Sequence, residues 1–287
     1  MFLTKLDKVL LAIDFSTNSL GLLESVNDIF NKNIGTIVLA HVFEDAKEAK
    51  SAGAIWQDVL NNLSKYKKEL VARGFDVKIV TPSGNPALEI VRLAETEQVD
   101  MILIASSGKG YIQSALLGST SFDVARIASC PVFIERGRNL TLDNKVDKVN
   151  CLSKILLPTD FSAASLAALA IVRVLHESIG EIVLVHVIEK SNSLDELEKK
   201  RNIAKLRLEE LVEELQTFGI KSSYMIKVEG TASRVLLQIM KEDGITMSIF
   251  PRTGAGIVKG LLIGSTAQAV LLNSETPLLM IPTPYHD

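Results

Sequence analysis

The sequence predicts an α/β protein of two tandem domains, each with a five-stranded parallel sheet that carries helices on both faces. Three observations lead to this prediction. The chain has 287 residues, which at roughly 150 residues per domain indicates two domains. Motifs of the first half return in the second half at a nearly constant offset. Within each half, short continuous apolar runs alternate with amphipathic stretches, as expected for buried parallel strands joined by right-handed helical crossovers.

The repeat divides the chain into two halves. Three segments of the first half return in the second: "KVLLAIDFS" at 8–16 as "KILLPTDFS" at 154–162, "TIVLAHVFE" at 36–44 as "EIVLVHVIE" at 181–189, and "GKGYIQSALLGST" at 108–120 as "GAGIVKGLLIGST" at 254–266. A period this long indicates duplication of a whole domain rather than a stack of short units. The polar stretch 137–152 is the predicted linker between a first domain at 1–136 and a second at 153–287.

The first half opens with "VLLAI", a short apolar run typical of a strand that is covered on both faces. The amphipathic stretch from Ser16 to about Asn31 predicts a helix with Ser16 as its N-cap. "TIVLAHVF" predicts the second strand. "IWQDVLNNLSKYKKELVARG" has apolar residues at helical spacing and ends at Gly74, a residue type that commonly terminates helices.

The remaining elements continue the alternation. "FDVKIV" predicts the third strand, and "NPALEIVRLAETE" predicts a helix with Pro86 near its first turn. "MILIAS", "GSTSFDVARIAS" and "PVFIE" follow as strand, helix and closing strand. The second half repeats this order, and its charged run at 193–215 predicts a half-exposed helix with i, i+4 ion pairs. In a sheet of order 3-2-1-4-5, ligands bind between the first and fourth strands, at their carboxyl ends.

Composition excludes several classes of protein and site. The formal net charge is −3 without a basic stripe, which argues against a nucleic-acid partner. No apolar run reaches 18 residues, so no membrane span is predicted. The two cysteines, Cys130 and Cys151, form no CxxC pair, which favours a reducing cytoplasm. Because no HxH or HExxH spacing occurs, no metal site is predicted, and His41 and His186 are interpreted as structural.

Two polar motifs recur at the loops where the fold expects a ligand. Asp14 and Asp160 each end the first strand of their half, either as helix-capping acids or as acceptors for a ribose hydroxyl or an adenine amine. The tripeptide Gly-Ser-Thr opens a helix in both halves, at 118–120 and 264–266. Alone it indicates a plain cap. Its recurrence in register, with a second glycine ten residues upstream each time, favours a phosphate at the helix start.

These motifs resemble those of the universal stress protein family in its tandem two-domain form. The marks are "AIDFS" and "PTDFS" after the first strand, "HV" at the second, and G-x9-G-[ST] after the fourth. The resemblance covers nearly the whole chain apart from the linker. It implies two Rossmann-like domains, of the kind found in adenine nucleotide α-hydrolases. It also implies binding of ATP or AMP, with Mg²⁺ accompanying ATP, and a role as a stress-response regulator or sensor.

The resemblance also implies the nucleotide-binding residues. The aspartates would contact the adenosine, and the valines of "HV" would contact the adenine. The glycines and hydroxyls would bind the phosphates. In the first half these residues are Ala12, Asp14, Val42, Ala105, Gly108, Gly118, Ser119 and Thr120. In the second half they are Pro158, Asp160, Val187, Gly254, Gly264, Ser265 and Thr266. Ala105 and Pro251 stand where the family's nucleotide-binding pattern, G-x2-G-x9-G-[ST], has its first glycine.

Two other functions stay open. A nucleotide hydrolase or phosphotransferase would need a placed base and a cationic clamp. Lys109 and Arg252 are the obvious basic residues at the loops and do not match between the repeats, so binding is favoured, with no catalytic residue and at most slow hydrolysis. A non-binding interaction module is the other alternative, because Pro251 lacks a backbone N–H. The resemblance suggests an intramolecular pseudo-dimer through "PVFIE" and "PLLMI", which would pair two sheet edges. A homodimer of the whole chain stays open.

Overall fold

A computed structural model of the chain describes residues 6–16, 21–23, 25–26, 29, 35–44, 53–106, 117–136, 150–228, 230–254 and 263–282. The chain divides into two compact units, with the boundary between Asp147 and Lys148. We refer to them as the first and second domains. The boundary falls within the stretch 137–152, whose role as a linker stays a prediction. In the described part of the chain, no helix has both the length and the apolar character needed to cross a membrane.

The first domain has five parallel strands in the order β3-β2-β1-β4-β5. The strands are β1 (Lys8–Ala12), β2 (Thr36–Ala40), β3 (Asp76–Val80), β4 (Met101–Ala105) and β5 (Val132–Glu135). The helices are α1 (Ala54–Ala72), α2 (Pro86–Thr96) and α3 (Ser119–Ile127). Residues 21–23, 25–26 and 29 are also helical, within the helix predicted between β1 and β2.

The second domain repeats this arrangement, with parallel strands in the order β8-β7-β6-β9-β10. Its strands are β6 (Lys154–Pro158), β7 (Glu181–Ile188), β8 (Lys221–Val228), β9 (Met247–Pro251) and β10 (Leu278–Ile281). Its helices are α4 (Ala163–Ala167), α5 (Leu169–Leu175), α6 (Leu194–Thr217), α7 (Ala232–Glu242) and α8 (Ser265–Asn273), with a 3₁₀ turn at His176–Ser178. The predicted α/β fold is confirmed in both domains.

One helix was expected after β6, and the structure has two. The break lies at Ala168, which keeps helical backbone angles of φ −62° and ψ −23°. The two short helices are therefore one helical segment that is interrupted at a single residue, and the order of elements matches the prediction.

The central strands form the core of each domain. Leu10 and Leu11 on β1, Leu103 on β4 and Leu156 on β6 are all completely buried. Their continuous apolar runs are what a strand covered on both faces requires, because neither of its faces meets water. The loops at the carboxyl ends of the buried strands β1 and β6 carry the recurring aspartates.

Candidate functional site

A cavity of about 320 Å³ lies in the second domain, at the carboxyl ends of β6 and β9. Residues at the start of α7 and in the first turn of α8 also line it. The seven residues predicted for the second half all line it: Pro158, Asp160, Val187, Gly254, Gly264, Ser265 and Thr266. They come from four separate segments of the chain, so the fold brings together what the sequence holds apart. Pro251 is also in the wall.

The cavity lies where the pairing of β6 with β9 stops early. In the first domain, the β1–β4 ladder runs on to the pair Ala12↔Ile104. In the second domain, the described ladder between β6 and β9 consists of Ile155↔Met247 and Leu156↔Ser248. The equivalents of the last two pairs of the first domain are missing, and the ends of β6 and β9 form cavity wall instead.

Two prolines explain this early stop. Alternate residues of a parallel strand direct their N–H groups to opposite neighbours. The Thr159 N–H donates to Val185 of β7 at 2.9 Å, so position 158 faces β9. The Arg252 N–H donates to Ile281 of β10 at 2.8 Å, so position 251 faces β6. Both facing positions are proline and neither has an N–H to donate, so the ladder cannot continue between them.

The loop that carries Asp160 is a tight turn. Its carboxylate Oδ1 accepts a hydrogen bond from the Ser162 N–H at 3.0 Å. The helix cap is Ser162 itself, whose Oγ accepts from the Ser165 N–H at 3.2 Å. Asp160 therefore shapes the turn before the helix rather than capping it. The same bond recurs in the first domain, where Asp14 Oδ1 accepts from the Ser16 N–H at 2.9 Å.

An aromatic residue in an unusual backbone conformation follows each aspartate. Phe15 and Phe161 have φ angles of 61° and 60°, a region that bulky side chains rarely adopt. The Phe161 ring packs on the His186 ring, with centroids 4.6 Å apart, and the Arg207 guanidinium lies 5.2 Å from the ring centroid. The surrounding contacts therefore hold a strained turn, as is common at functional sites.

The two histidines hydrogen-bond to the backbone at the start of these turns, in agreement with their predicted structural role. His186 Nδ1 lies 2.8 Å from the Thr159 carbonyl oxygen, and His41 Nδ1 lies 2.7 Å from that of Ile13. Because a carbonyl only accepts, Nδ1 carries the proton in both cases. We call these two Nδ1–carbonyl hydrogen bonds the histidine clamp. Sequence reasoning did not include the clamp in the site, although "DF" and "HV" recur in register in the sequence.

Replacing His186 with alanine is expected to lower the free energy of unfolding by about 1–3 kcal/mol, since the Thr159 carbonyl loses its donor and Phe161 loses its neighbour. Urea titration followed by circular dichroism measures the change. His176→Ala is the control, because that half-buried ring also bonds a backbone carbonyl, that of Arg173 at 2.8 Å, and lies beside a phenylalanine ring, that of Phe218 at 6.2 Å, but takes no part in the Phe161 turn. Equal losses in the two variants would contradict the clamp.

The start of α8 has the features of an anion site. Its N-cap, Gly264, has no side chain to cap the helix, and its own N–H donates to the Arg252 carbonyl at 2.8 Å. The N–H groups of the first helical turn have no partner within a helix, which is why such ends bind anions. An ideal Cβ placed on Gly254 would lie 2.7 Å from Asp160 Oδ2, so the glycine loop passes directly against the aspartate.

The first-domain residues occupy the matching positions. Ala12 and Ala105 end β1 and β4, Asp14 lies in the loop after β1, and Val42 follows β2. Gly118 is the N-cap of α3, which begins with Ser119 and Thr120. These positions are all at the carboxyl ends of the strands. Gly108 and Lys109 lie outside the described residues.

The acidic residue Glu189 was missed by sequence reasoning. It lines the second-domain cavity, and its Oε1 accepts from the Ala232 N–H, the first residue of α7, at 2.6 Å. Its signal in the sequence is the recurrence of Glu after "HVF" and "HVI". In the described part of the chain, no group of three or more His, Cys, Asp or Glu residues could hold a metal ion.

The fold and the cavity define a class: a tandem Rossmann-like α/β protein with a ligand-sized cavity at a topological switch point. Within that class, the universal stress protein family model matches residues 5–136 and 152–282. The chain therefore belongs to the universal stress protein family, and the two matches confirm the tandem form.

Three relatives illustrate the similarity. A universal stress protein of Methanocaldococcus jannaschii is 34% identical over 112 residues, which are 39% of this chain and 68% of the relative. A universal stress protein of Mycobacterium tuberculosis strain H37Rv is 23% identical over 240 residues, which are 79% of this chain and 78% of the relative. The crystal structure of a universal stress protein from Archaeoglobus fulgidus DSM 4304 superposes with a TM-score of 0.68 at 24% identity. It covers 96% of this chain and 98% of that one, and this likeness concerns the fold.

Proposed function

We propose that this protein binds an adenine nucleotide, ATP or AMP, in the second-domain cavity and acts as a nucleotide-dependent stress regulator. One observation carries the proposal. Seven residues predicted from the recurring motifs and the family resemblance, drawn from four segments, line a single cavity at the switch point of the sheet. Ligands of open α/β sheets bind at that point.

Each part of the cavity has a chemical counterpart in the nucleotide. The Asp160 carboxylate would accept hydrogen bonds from a ribose hydroxyl or the adenine amine. The apolar wall at Val187 and Leu236 suits the faces of a purine. A phosphate would meet the N–H groups at the start of α8, close to Gly254 and Gly264.

Binding without rapid chemistry suits the residues that line the cavity. Phosphoryl transfer is catalysed by cationic groups that offset the charge on the transferred phosphoryl group, together with a placed base. No lysine or arginine is among the described residues of the lining. A nucleotide that binds only the folded form stabilises it by an amount that rises with the logarithm of the nucleotide concentration, and this linkage is the basis of a sensor.

A stoichiometry measurement tests the proposal. The purified protein is denatured, released nucleotides are identified by mass, and ATP and AMP are titrated into the stripped, refolded chain. Asp160→Ala is expected to weaken binding about tenfold or more, since a hydrogen bond to a charged group contributes about 1.5–3 kcal/mol. The matched variant Asp14→Ala removes the equivalent carboxylate of the first domain.

The two variants assign the sites. One nucleotide per chain that is lost with Asp160→Ala alone would place the site in the second domain, and two per chain would add the first. The absence of binding at millimolar ATP and AMP would overturn the proposal and leave an interaction module. Packing of the domains through their closing strands and a cytoplasmic location stay predictions.

A further inference from the structure

Two exposed apolar side chains lie side by side on α6. The inner side of this helix packs against β7 and β8, and its Ala204, Leu208 and Leu215 are buried. Ile203 and Leu206 are 55% and 63% exposed. Residues three apart are neighbours on a helix surface, so these two side chains form one apolar patch that faces solvent.

The equivalent helix of the first domain lacks this patch. α1 has three buried residues with the same spacing as those of α6, namely Val59, Leu63 and Leu70. When the two helices are aligned on these residues, Asp58 and Asn61 stand in the places of Ile203 and Leu206, and both are exposed. The duplicated fold therefore forms with polar residues at these positions, so packing within the domain does not explain the apolar pair.

A charged residue flanks the patch on each side along the helix. At about 100° per residue, Lys199, Ile203, Leu206 and Glu210 fall within about 60° of the helix circumference. We call these four residues the outer face of α6. Lys199 and Glu210 are exposed, and neither forms an ion pair within the part of the chain that the structure describes.

The outer face is complementary to itself. Its midpoint lies between Ile203 and Leu206, and Lys199 and Glu210 lie about 8 Å from this midpoint on opposite sides. Two copies of α6 that pack antiparallel about a two-fold axis at the midpoint place each Ile203 against the Leu206 of the other copy. The same register places each Lys199 against the Glu210 of the other copy. A parallel arrangement would instead bring like charges together.

Like charges reach the same height in this register only toward the helix ends. There Glu213 comes level with Glu196 of the other copy, and Glu196 is already paired with Lys200 at 2.7 Å. Packed helices usually cross at an angle, so the two copies of α6 separate from the midpoint outwards. The four residues of the outer face therefore dominate the contact.

We infer that this protein self-associates through the outer face of α6, as an antiparallel dimer with two-fold symmetry. Such a contact joins the same surface of both copies. The apolar pair forms its centre, and two ion pairs between Lys199 and Glu210 fix its register. An interface centred on one helix pair is small, so the dimer is expected to dissociate at concentrations on the order of 10 μM. The outer face is not part of the cavity lining, and the inference is independent of nucleotide binding.

Sedimentation velocity of the full chain tests the inference at concentrations from about 1 to 500 μM. The mean mass is expected to rise from the monomer value towards twice that value. Lys199→Glu and Glu210→Lys each replace both ion pairs by like-charge contacts, and each is expected to weaken dimerisation about tenfold or more. Lys68→Glu, at an exposed position of α1, changes the net charge as Lys199→Glu does and is expected to leave dimerisation unchanged.

Mixing the two charge variants tests the register. A dimer of one Lys199→Glu chain and one Glu210→Lys chain has opposite charges at both ends of the contact, so the equimolar mixture is expected to regain the association that each variant loses. A mixture that associates no better than either variant alone would overturn the antiparallel contact. Equal effects of Lys199→Glu and Lys68→Glu would also overturn it.

The apolar pair has its own test. The double variant Ile203→Asp, Leu206→Asn gives α6 the residues that α1 has at the aligned positions, and it is expected to stay monomeric at the highest concentration. Because both side chains are exposed, its urea midpoint at 1/100 of that concentration is expected to match that of the unsubstituted chain, which shows that the fold is intact. An unsubstituted chain that stays monomeric throughout, or a double variant that still dimerises, would overturn the inference.

Discussion

Gly35→Ala is expected to lower the free energy of unfolding of the first domain by about 3 kcal/mol or more, because a side chain there meets backbone. An ideal Cβ on Gly35 would lie 1.9 Å from the Asp7 carbonyl oxygen. That oxygen also accepts the Thr36 N–H at 2.8 Å, the bond that aligns the starts of β1 and β2. The clash therefore displaces a backbone hydrogen bond of the central sheet.

The duplication supplies a second test at the equivalent position. A Cβ on Gly180 would lie 2.5 Å from the Ser153 carbonyl oxygen, and the Gly180 N–H donates to Leu152 at 2.9 Å. Gly180→Ala is expected to destabilise the second domain in the same way. The gap is 0.6 Å wider than at Gly35 (2.5 against 1.9), so the loss is expected to be smaller.

Urea titration with two signals separates the domains. The single tryptophan, Trp56, lies on α1 and reports the first domain by fluorescence, whereas circular dichroism reports both. Gly244→Ala is the control: it has a positive φ of 64° but nothing within 4 Å of its Cβ, so the cost is about 1–2 kcal/mol. A Gly35 variant no less stable than the control would contradict this account of the strand start.

The sequence predicted the fold well because its local signals agree with one another. The apolar runs that form β1 and β6 are continuous, and a strand that is buried on both faces contains few polar residues. The charged run at 193–215 was predicted as a half-exposed helix. α6 spans Leu194–Thr217, with Ala204, Leu208 and Leu215 buried and Glu196–Lys200 paired at 2.7 Å. Helical periodicity and ion-pair spacing are both local properties of the chain.

The cavity wall could not be predicted to the same depth, because it depends on pairing between distant residues. From the sequence alone, the only visible consequence of Pro251 is that one backbone N–H is missing at a ligand loop. In the sheet, the missing N–H groups of Pro251 and Pro158 both fall on the side where β6 and β9 would pair, and the ladder ends where the cavity begins. That consequence needs the strand register, and the Glu189 bond to Ala232 likewise joins residues 43 positions apart.

Gly254→Ala is expected to weaken nucleotide binding about 100-fold in the second domain, with little effect on folding. The added Cβ would lie 2.7 Å from Asp160 Oδ2. Asp160 can relieve this contact only by disturbing the hydrogen bond that its Oδ1 accepts from the Ser162 N–H at 3.0 Å. The methyl group therefore turns the carboxylate away from the nucleoside and also narrows the cavity at the phosphate loop.

A double-mutant cycle separates this mechanism from simple blockage. If the methyl group acts through the aspartate, Gly254→Ala should cost far less in an Asp160→Ala background than alone, since residues in contact show non-additive effects. Calorimetry with AMP gives the four affinities. Gly244→Ala, remote from the cavity lining, serves as the control and should bind as the unsubstituted chain does. Additive losses would mean that the methyl group blocks the ligand directly and does not act through Asp160.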